Sequence, residues 1–84
     1  MRTVARLRAR GERLRAAVLD SARRQLAHGA DPDEVIAIAT SKLVNKLLHE
    51  PSVRLREAGA EGRSELLAAA GELFDLDRDL PDEP

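Results

Sequence analysis

Cysteine, tryptophan and tyrosine are absent from the 84-residue chain, and one phenylalanine is its only aromatic residue. Without cysteine, the sequence has no disulfide, no thiolate metal site and no cysteine nucleophile. Strands favour aromatic and β-branched residues, and few of these occur here, so a core of Leu, Val, Ile and Ala in which Leu and Ala predominate predicts packed helices. A chain this short buries only about 60% of its unfolded surface. Self-association is therefore the stabilising device that remains.

Signals for catalysis, cofactors and membranes are also missing. No glycine-rich phosphate loop occurs, and His28 and His49 lack the spacing of metal ligands. No apolar run approaches the ~18 residues of a membrane span. Met1 and Arg2 open a charged stretch that does not resemble a secretory signal. We therefore expect no catalytic, cofactor or metal site in this chain, no membrane contact and a cytoplasmic location.

Charge is unevenly distributed although the net charge is −1. Residues 1–28 carry eight arginines against two acids, a net +6, whereas residues 29–84 carry six basic and 13 acidic side chains, a net −7. The basic segment therefore either docks on an acidic surface of its own chain or a partner, or faces the phosphates of a nucleic acid.

Residues 3–28 are predicted to form one long helix. Apolar residues recur there at alternating 4-3 spacing, which indicates a short heptad-like seam. We call this seam the 4-3 stripe, and it comprises Val4, Leu7, Gly11, Leu14 and Val18. Gly11 costs helix stability, so either another backbone approaches it closely or the helix bends there. His28 and Gly29 form the predicted stop signal.

A second helix is predicted over 31–49. Asp31 can cap it, Pro32 suits its first position, and Pro51 is expected to break it. Its apolar residues cover most of the helical circumference, which predicts burial on nearly all sides. Because the chain has too few other apolar residues to surround this helix, we expect a second copy to cover it.

Two shorter helices are predicted over 52–60 and 64–74, capped by Ser52 and Ser64. Residues 77–84 form an acidic tail that is expected to be disordered. The predicted fold is thus all-α, with a long N-terminal helix followed by three shorter helices. We expect a helical-bundle homodimer in which the two chains intertwine.

Asn45 is the polar residue that stands out among the Leu and Val of the second helix. Its amide either faces a gap or solvent, or pairs across an interface and sets the register of two chains, as a core Asn does in coiled coils. His49 is interpreted as a C-terminal helix residue.

The string Asn45-Lys46-Leu47-Leu48-His49-Glu50-Pro51-Ser52, with Val53-Arg54-Leu55-Arg56 and the later Leu66-Leu67 and Leu73-Phe74-Asp75-Leu76, closely resembles the C-terminal dimerisation domain of glutamyl-tRNA reductase. The opening Leu7–Arg15 stretch is similar to the end of that family's long spinal helix. The resemblance covers about residues 3–76. By this resemblance, Met1 lies at a position where the family's spinal helix has already begun. We therefore expect this chain to be either a fragment of such a reductase or a stand-alone relative of its dimerisation domain.

The resemblance implies a parent enzyme that uses NADPH to reduce the glutamyl group of charged tRNA to glutamate-1-semialdehyde for tetrapyrrole synthesis. The family's catalytic cysteine and NADPH site lie in other domains, so no catalytic residue carries over and no cofactor is expected in this chain. What carries over is homodimerisation, for which the candidate interface residues are Leu7, Leu14, Val18, Ile36, Leu43, Leu47 and Leu48, with Asn45 as the register-setting polar residue.

Two other functions remain open from the sequence. The arginine-rich first helix could bind tRNA or another RNA through phosphates, although the chain lacks aromatic residues for base stacking. Alternatively, the chain could be a separate helical regulator that pairs with a complete reductase.

Overall fold

A computed structural model describes residues 1–76, which form three helices: α1 (Arg2–Ala27), α2 (Pro32–Ala60) and α3 (Ser64–Leu73). No strand occurs within these residues, so the all-α prediction is confirmed. The predicted acidic tail, 77–84, lies outside the described residues. The chain divides into two compact units, of which the first comprises residues 1–50 and the second begins at Pro51.

The end of α1 is a left-handed turn at Gly29, whose φ is +88°. The Gly29 N–H donates to the Leu26 carbonyl and the Ala30 N–H to the Gln25 carbonyl, both at 3.0 Å, which is the Schellman pattern. His28 Nδ1 lies 2.7 Å from the Arg24 carbonyl oxygen, on one of the last carbonyls of the helix. The stop predicted at His28 and Gly29 is confirmed.

The start of α2 is capped by Asp31. Its carboxylate accepts the backbone N–H of Glu34 at 3.1 Å, and Pro32 is the first helical residue. Asp33 and Glu34 lie in the first turn, where negative charge is favoured by the helix dipole. This predicted start is also confirmed.

The break predicted at Pro51 is wrong. The predicted helices 31–49 and 52–60 form one 29-residue helix, so residues 1–76 contain three helices instead of four, and α2 is longer than the 26-residue α1. An internal proline removes one hydrogen bond and costs about 3 kcal/mol, but it does not abolish helix on either side. The following residues, among them Leu55, Arg56 and Ala58, are good helix formers and continue the helix without a Ser52 cap.

The turn between α2 and α3 shows that a second predicted cap, Ser64, is wrong. Arg63, and not Ser64, is the N-cap residue of α3, and it makes no side-chain capping hydrogen bond. The reason is the end of α2, where Gly62 adopts φ +72° and the Arg63 N–H donates to the Ala58 carbonyl at 2.8 Å. Because Arg63 closes one helix and caps the next, Ser64 is already helical.

Packing in the first unit is antiparallel, with α1 against the part of α2 up to Glu50. Val18 and Val35 are buried there. The small space beside them holds about 10 Å³, roughly the room of one water molecule, so the helices fit closely at this level. In the second unit Ala58 and Gly71 are buried. Within the described residues Val18, Val35 and Ala58 are the buried apolar side chains, which is a small core.

Candidate association surface

The 4-3 stripe of α1 is covered at one end and open at the other. Val18 is 7% exposed, Gly11 and Leu14 are half-buried, and Leu7 is 65% exposed. In the first unit Arg10 and Glu50 line one groove, so the antiparallel segment of α2 that belongs to this unit ends near Arg10. Val4 and Leu7 lie before that point in α1, and both are exposed. One stripe thus serves as core at its C-terminal half and as an open apolar surface at its N-terminal half.

The second open surface lies on α2. Val35, Ala39 and Lys42 share a groove with α1, which identifies the side of α2 that faces α1. At 100° per residue, Val44 and Leu48 lie on the opposite side of the helix and Ile36 lies at its edge. We call these three residues the α2 outer face, and all three are exposed. A water-facing helix side is normally polar, so this apolar side indicates a surface that another protein covers.

The predicted interface residues fall into three groups of burial. Leu7, Ile36 and Leu48 are exposed, as an unoccupied interface requires, whereas Val18 is enclosed by its own chain. The half-buried group comprises Leu14, Leu43 and Leu47. Their contact with a second copy stays a prediction.

Asn45 is exposed and lines one groove with Thr40, Ser41 and Val44. It also lines the groove that contains Arg10 and Leu14. The structure therefore agrees with a solvent-facing amide in the isolated chain, and its pairing across an interface stays a prediction.

Gly11 leaves a recess in the 4-3 stripe. A Cβ placed on Gly11 would have no heavy atom within 4 Å, so the fold of the chain itself does not require glycine here. We call Val4, Leu7 and Gly11 the Gly11 recess. Arg8 and Arg10 stand on its two sides, about 60° and 100° around the helix from Gly11.

Positive charge is only partly compensated along α1. Arg8 and Arg15 approach Glu12 at 4.0 and 2.9 Å, and all three side chains are at least half exposed, so these pairs add little stability. Within the described residues, no ion pair is formed by Arg2, Arg6, Arg10 and Arg13. The surface around the recess is therefore basic on the Arg10 side, whereas on the other side Glu12 lines the recess together with its ion-pair partner Arg8.

A third apolar surface, which the sequence reasoning missed, lies at the end of α3. Leu73 is 80% exposed and Phe74 59% exposed, and Leu76 is also exposed. We call these three residues the α3 knob. The turn that presents them has Asp75 at φ +56°, with the Leu76 N–H donating to the Gly71 carbonyl at 2.9 Å. The sequence did contain a signal for this surface, since three large apolar residues stand close together at the predicted end of a helix.

Residues 1–76 contain no cluster of three or more potential metal-binding His, Cys, Asp or Glu residues. None of the three helices is long and apolar enough to cross a membrane.

Comparison with known proteins gives one consistent family. Residues 1–76 match the family model described as glutamyl-tRNAGlu reductase, dimerisation domain. The chain is 54% identical over 74 residues to the glutamyl-tRNA reductase of Pseudomonas aeruginosa, covering 88% of this chain and 18% of that protein. It is 48% identical over 75 residues to the enzyme of Pseudomonas putida strain GB-1, covering 89% and 18%.

The chain therefore spans less than a fifth of the length of these curated relatives. No solved structure matches it. The names of the matching family and relatives give no support to a separate RNA-binding module or regulator. A family match over residues 1–76, together with about half-identical relatives, shows that this chain belongs to the glutamyl-tRNA reductase dimerisation-domain family.

Proposed function

We propose that the chain forms a homodimer through the open half of the 4-3 stripe and the α2 outer face. The observation that supports this most is the α2 outer face, where Val44 and Leu48 on the side opposite α1, and Ile36 at its edge, are all exposed. The family name supplies the kind of partner, a second copy. In a two-fold dimer both chains contribute the same residues, so each contact between the chains occurs twice.

Asn45 has a role in the same proposal. Among the described residues its side chain makes no hydrogen bond with the chain itself, and it shares a groove with Val44 of the α2 outer face. An amide at the edge of an apolar interface favours the one register in which it finds a partner. We propose that Asn45 sets the register of the two subunits.

For the whole protein, we propose that this domain joins two reductase subunits that convert glutamyl-tRNA to glutamate-1-semialdehyde with NADPH, in the cytoplasm, for tetrapyrrole synthesis. The chemistry, the NADPH site and the main tRNA contacts are assigned to other parts of that protein. The role proposed for this chain is the assembly of the two subunits, which is the role that the name of its family gives.

Leu48→Asp tests the dimer. Leu48 is half exposed in the subunit, so aspartate there leaves the small core intact but places a carboxylate in the proposed apolar contact. Light scattering coupled to size exclusion should report a dimer for the wild type and a helical monomer for Leu48→Asp.

The matched control is Ala16→Asp, which adds the same charge on an exposed side of α1 away from the 4-3 stripe. It should remain dimeric. A wild-type chain that is monomeric and fully helical at high concentration would refute the proposal.

A further inference from the structure

Two of the open apolar surfaces differ in shape and in surrounding charge. The Gly11 recess is a groove that Arg8 and Glu12 line on one side, and Arg10 lies on its other side. The α3 knob protrudes, and it contains Phe74, the only aromatic side chain of the chain.

The charges around the two surfaces are opposite. Residues 2–15 carry six arginines against one acid, whereas residues 63–76 carry three acids against one arginine, Arg63, which lies 3.6 Å from Glu65. Glu72 forms no ion pair within the described residues, and neither does Arg10. Bringing a basic recess and an acidic knob together is favoured, whereas packing α1 on a second α1 would oppose like charges.

We infer that the α3 knob of one copy seats in the Gly11 recess of the other, with Phe74 placed over Gly11. This inference rests on the proposed homodimer and specifies which surfaces meet. It also explains a glycine in the middle of a 26-residue helix, where alanine would favour helix and would meet no atom of its own chain.

The absence of native cysteine allows a direct test. A Leu7→Cys chain is mixed with a Leu73→Cys chain and oxidised. Both positions are largely exposed, so neither change disturbs the core, and the chains are mixed at a concentration at which sedimentation shows that the variants are still dimers. The disulfide between the two different chains should exceed the half share that random pairing gives, because a disulfide requires Cα atoms about 4.4–6.8 Å apart.

Replacing Leu7→Cys by Ala9→Cys gives the matched control, since Ala9 lies on the opposite side of α1 and should show no such excess. Predominance of the Leu7–Leu7 disulfide, or no excess of the mixed disulfide, would overturn the inference.

Dissociation constants provide a second test. Gly11→Ala should raise the dimer dissociation constant about tenfold, and by less than about twofold when Phe74→Ala is already present, because residues in contact couple. Gly59→Ala, at another open helical glycine, should leave the constant unchanged. Equal effects of Gly11→Ala in both backgrounds would contradict the pairing.

The two proposals fail differently. If the wild-type chain sediments as a monomer, the proposed dimer is wrong. If it is a dimer but lacks the excess of the mixed disulfide or the Gly11–Phe74 coupling, the dimer stands and only this inference is wrong.

Discussion

The Leu7→Ala substitution distinguishes the free energy that a partner chain contributes to association from the stability of the folded subunit. Leu7 is 65% exposed in the subunit, so its own chain gains little from it. Full burial of a leucine side chain is worth about 1.5–3 kcal/mol, and a partner that covers the exposed 65% therefore contributes about 1–2 kcal/mol.

A two-fold dimer contains this contact twice, so Leu7→Ala removes about 2–4 kcal/mol from association. At about 1.4 kcal/mol per tenfold change, the dissociation constant should rise roughly 30- to 700-fold. The free energy of unfolding of the isolated subunit should hardly change, because alanine is a better helix former than leucine.

Sedimentation equilibrium over a concentration series measures the dissociation constant, and far-ultraviolet circular dichroism on the same samples measures helix content. Val18→Ala serves as the contrasting variant. Val18 is 7% exposed within the subunit, so its truncation should destabilise the chain by about 2 kcal/mol at every concentration.

The reasoning is refuted if the wild type is a dimer and Leu7→Ala leaves its dissociation constant within about twofold. The partner would then not cover the open half of the 4-3 stripe.

Three further changes test the helix ends and the proline by thermal unfolding at fixed protein concentration. Gly29→Ala should cost about 1 kcal/mol, because φ is +88° there, while Gly59→Ala inside α2 should stabilise by about 0.5–1 kcal/mol; equal effects would contradict the turn. Asp31→Ala should cost about 1 kcal/mol through the lost cap on the Glu34 N–H, and an unchanged melting temperature would exclude that cap. Pro51→Ala should raise the melting temperature, since it removes a penalty of up to about 3 kcal/mol from a continuous helix; a lower one would indicate that the proline is needed where it is.

The helix ends were predictable wherever the signal is local. Asp31 and Gly29 each act through a hydrogen bond or dihedral angle within a few residues of themselves, so the sequence is sufficient to place them. Pro51 shows the limit of that reasoning. Proline does disfavour helix at this position, but its cost is one contribution to the free energy of a 29-residue helix. The total over all residues of α2 favours a continuous helix.

The candidate surface was only partly predictable for a different reason. Periodicity correctly placed Val4, Leu7 and Val18 on one side of α1, but it carries no information on how far the covering segment of α2 reaches. The α3 knob was missed because Leu73 and Phe74 lie at the very end of α3 and Leu76 lies beyond it, where helical periodicity is too short to separate a covered side from an exposed one.

The continuation of the 4-3 stripe is itself an argument for a second chain. Within the first unit, the segment of α2 that packs on the stripe extends to a point near Arg10, whereas Val4 and Leu7 are exposed. Beyond that point an exposed helix gains nothing from Val4 and Leu7, and large apolar patches on a monomer promote unwanted association. Their presence at unbroken 4-3 spacing, beside a glycine that the chain's own packing does not need, is explained if the same stripe packs first against its own α2 and then against another copy.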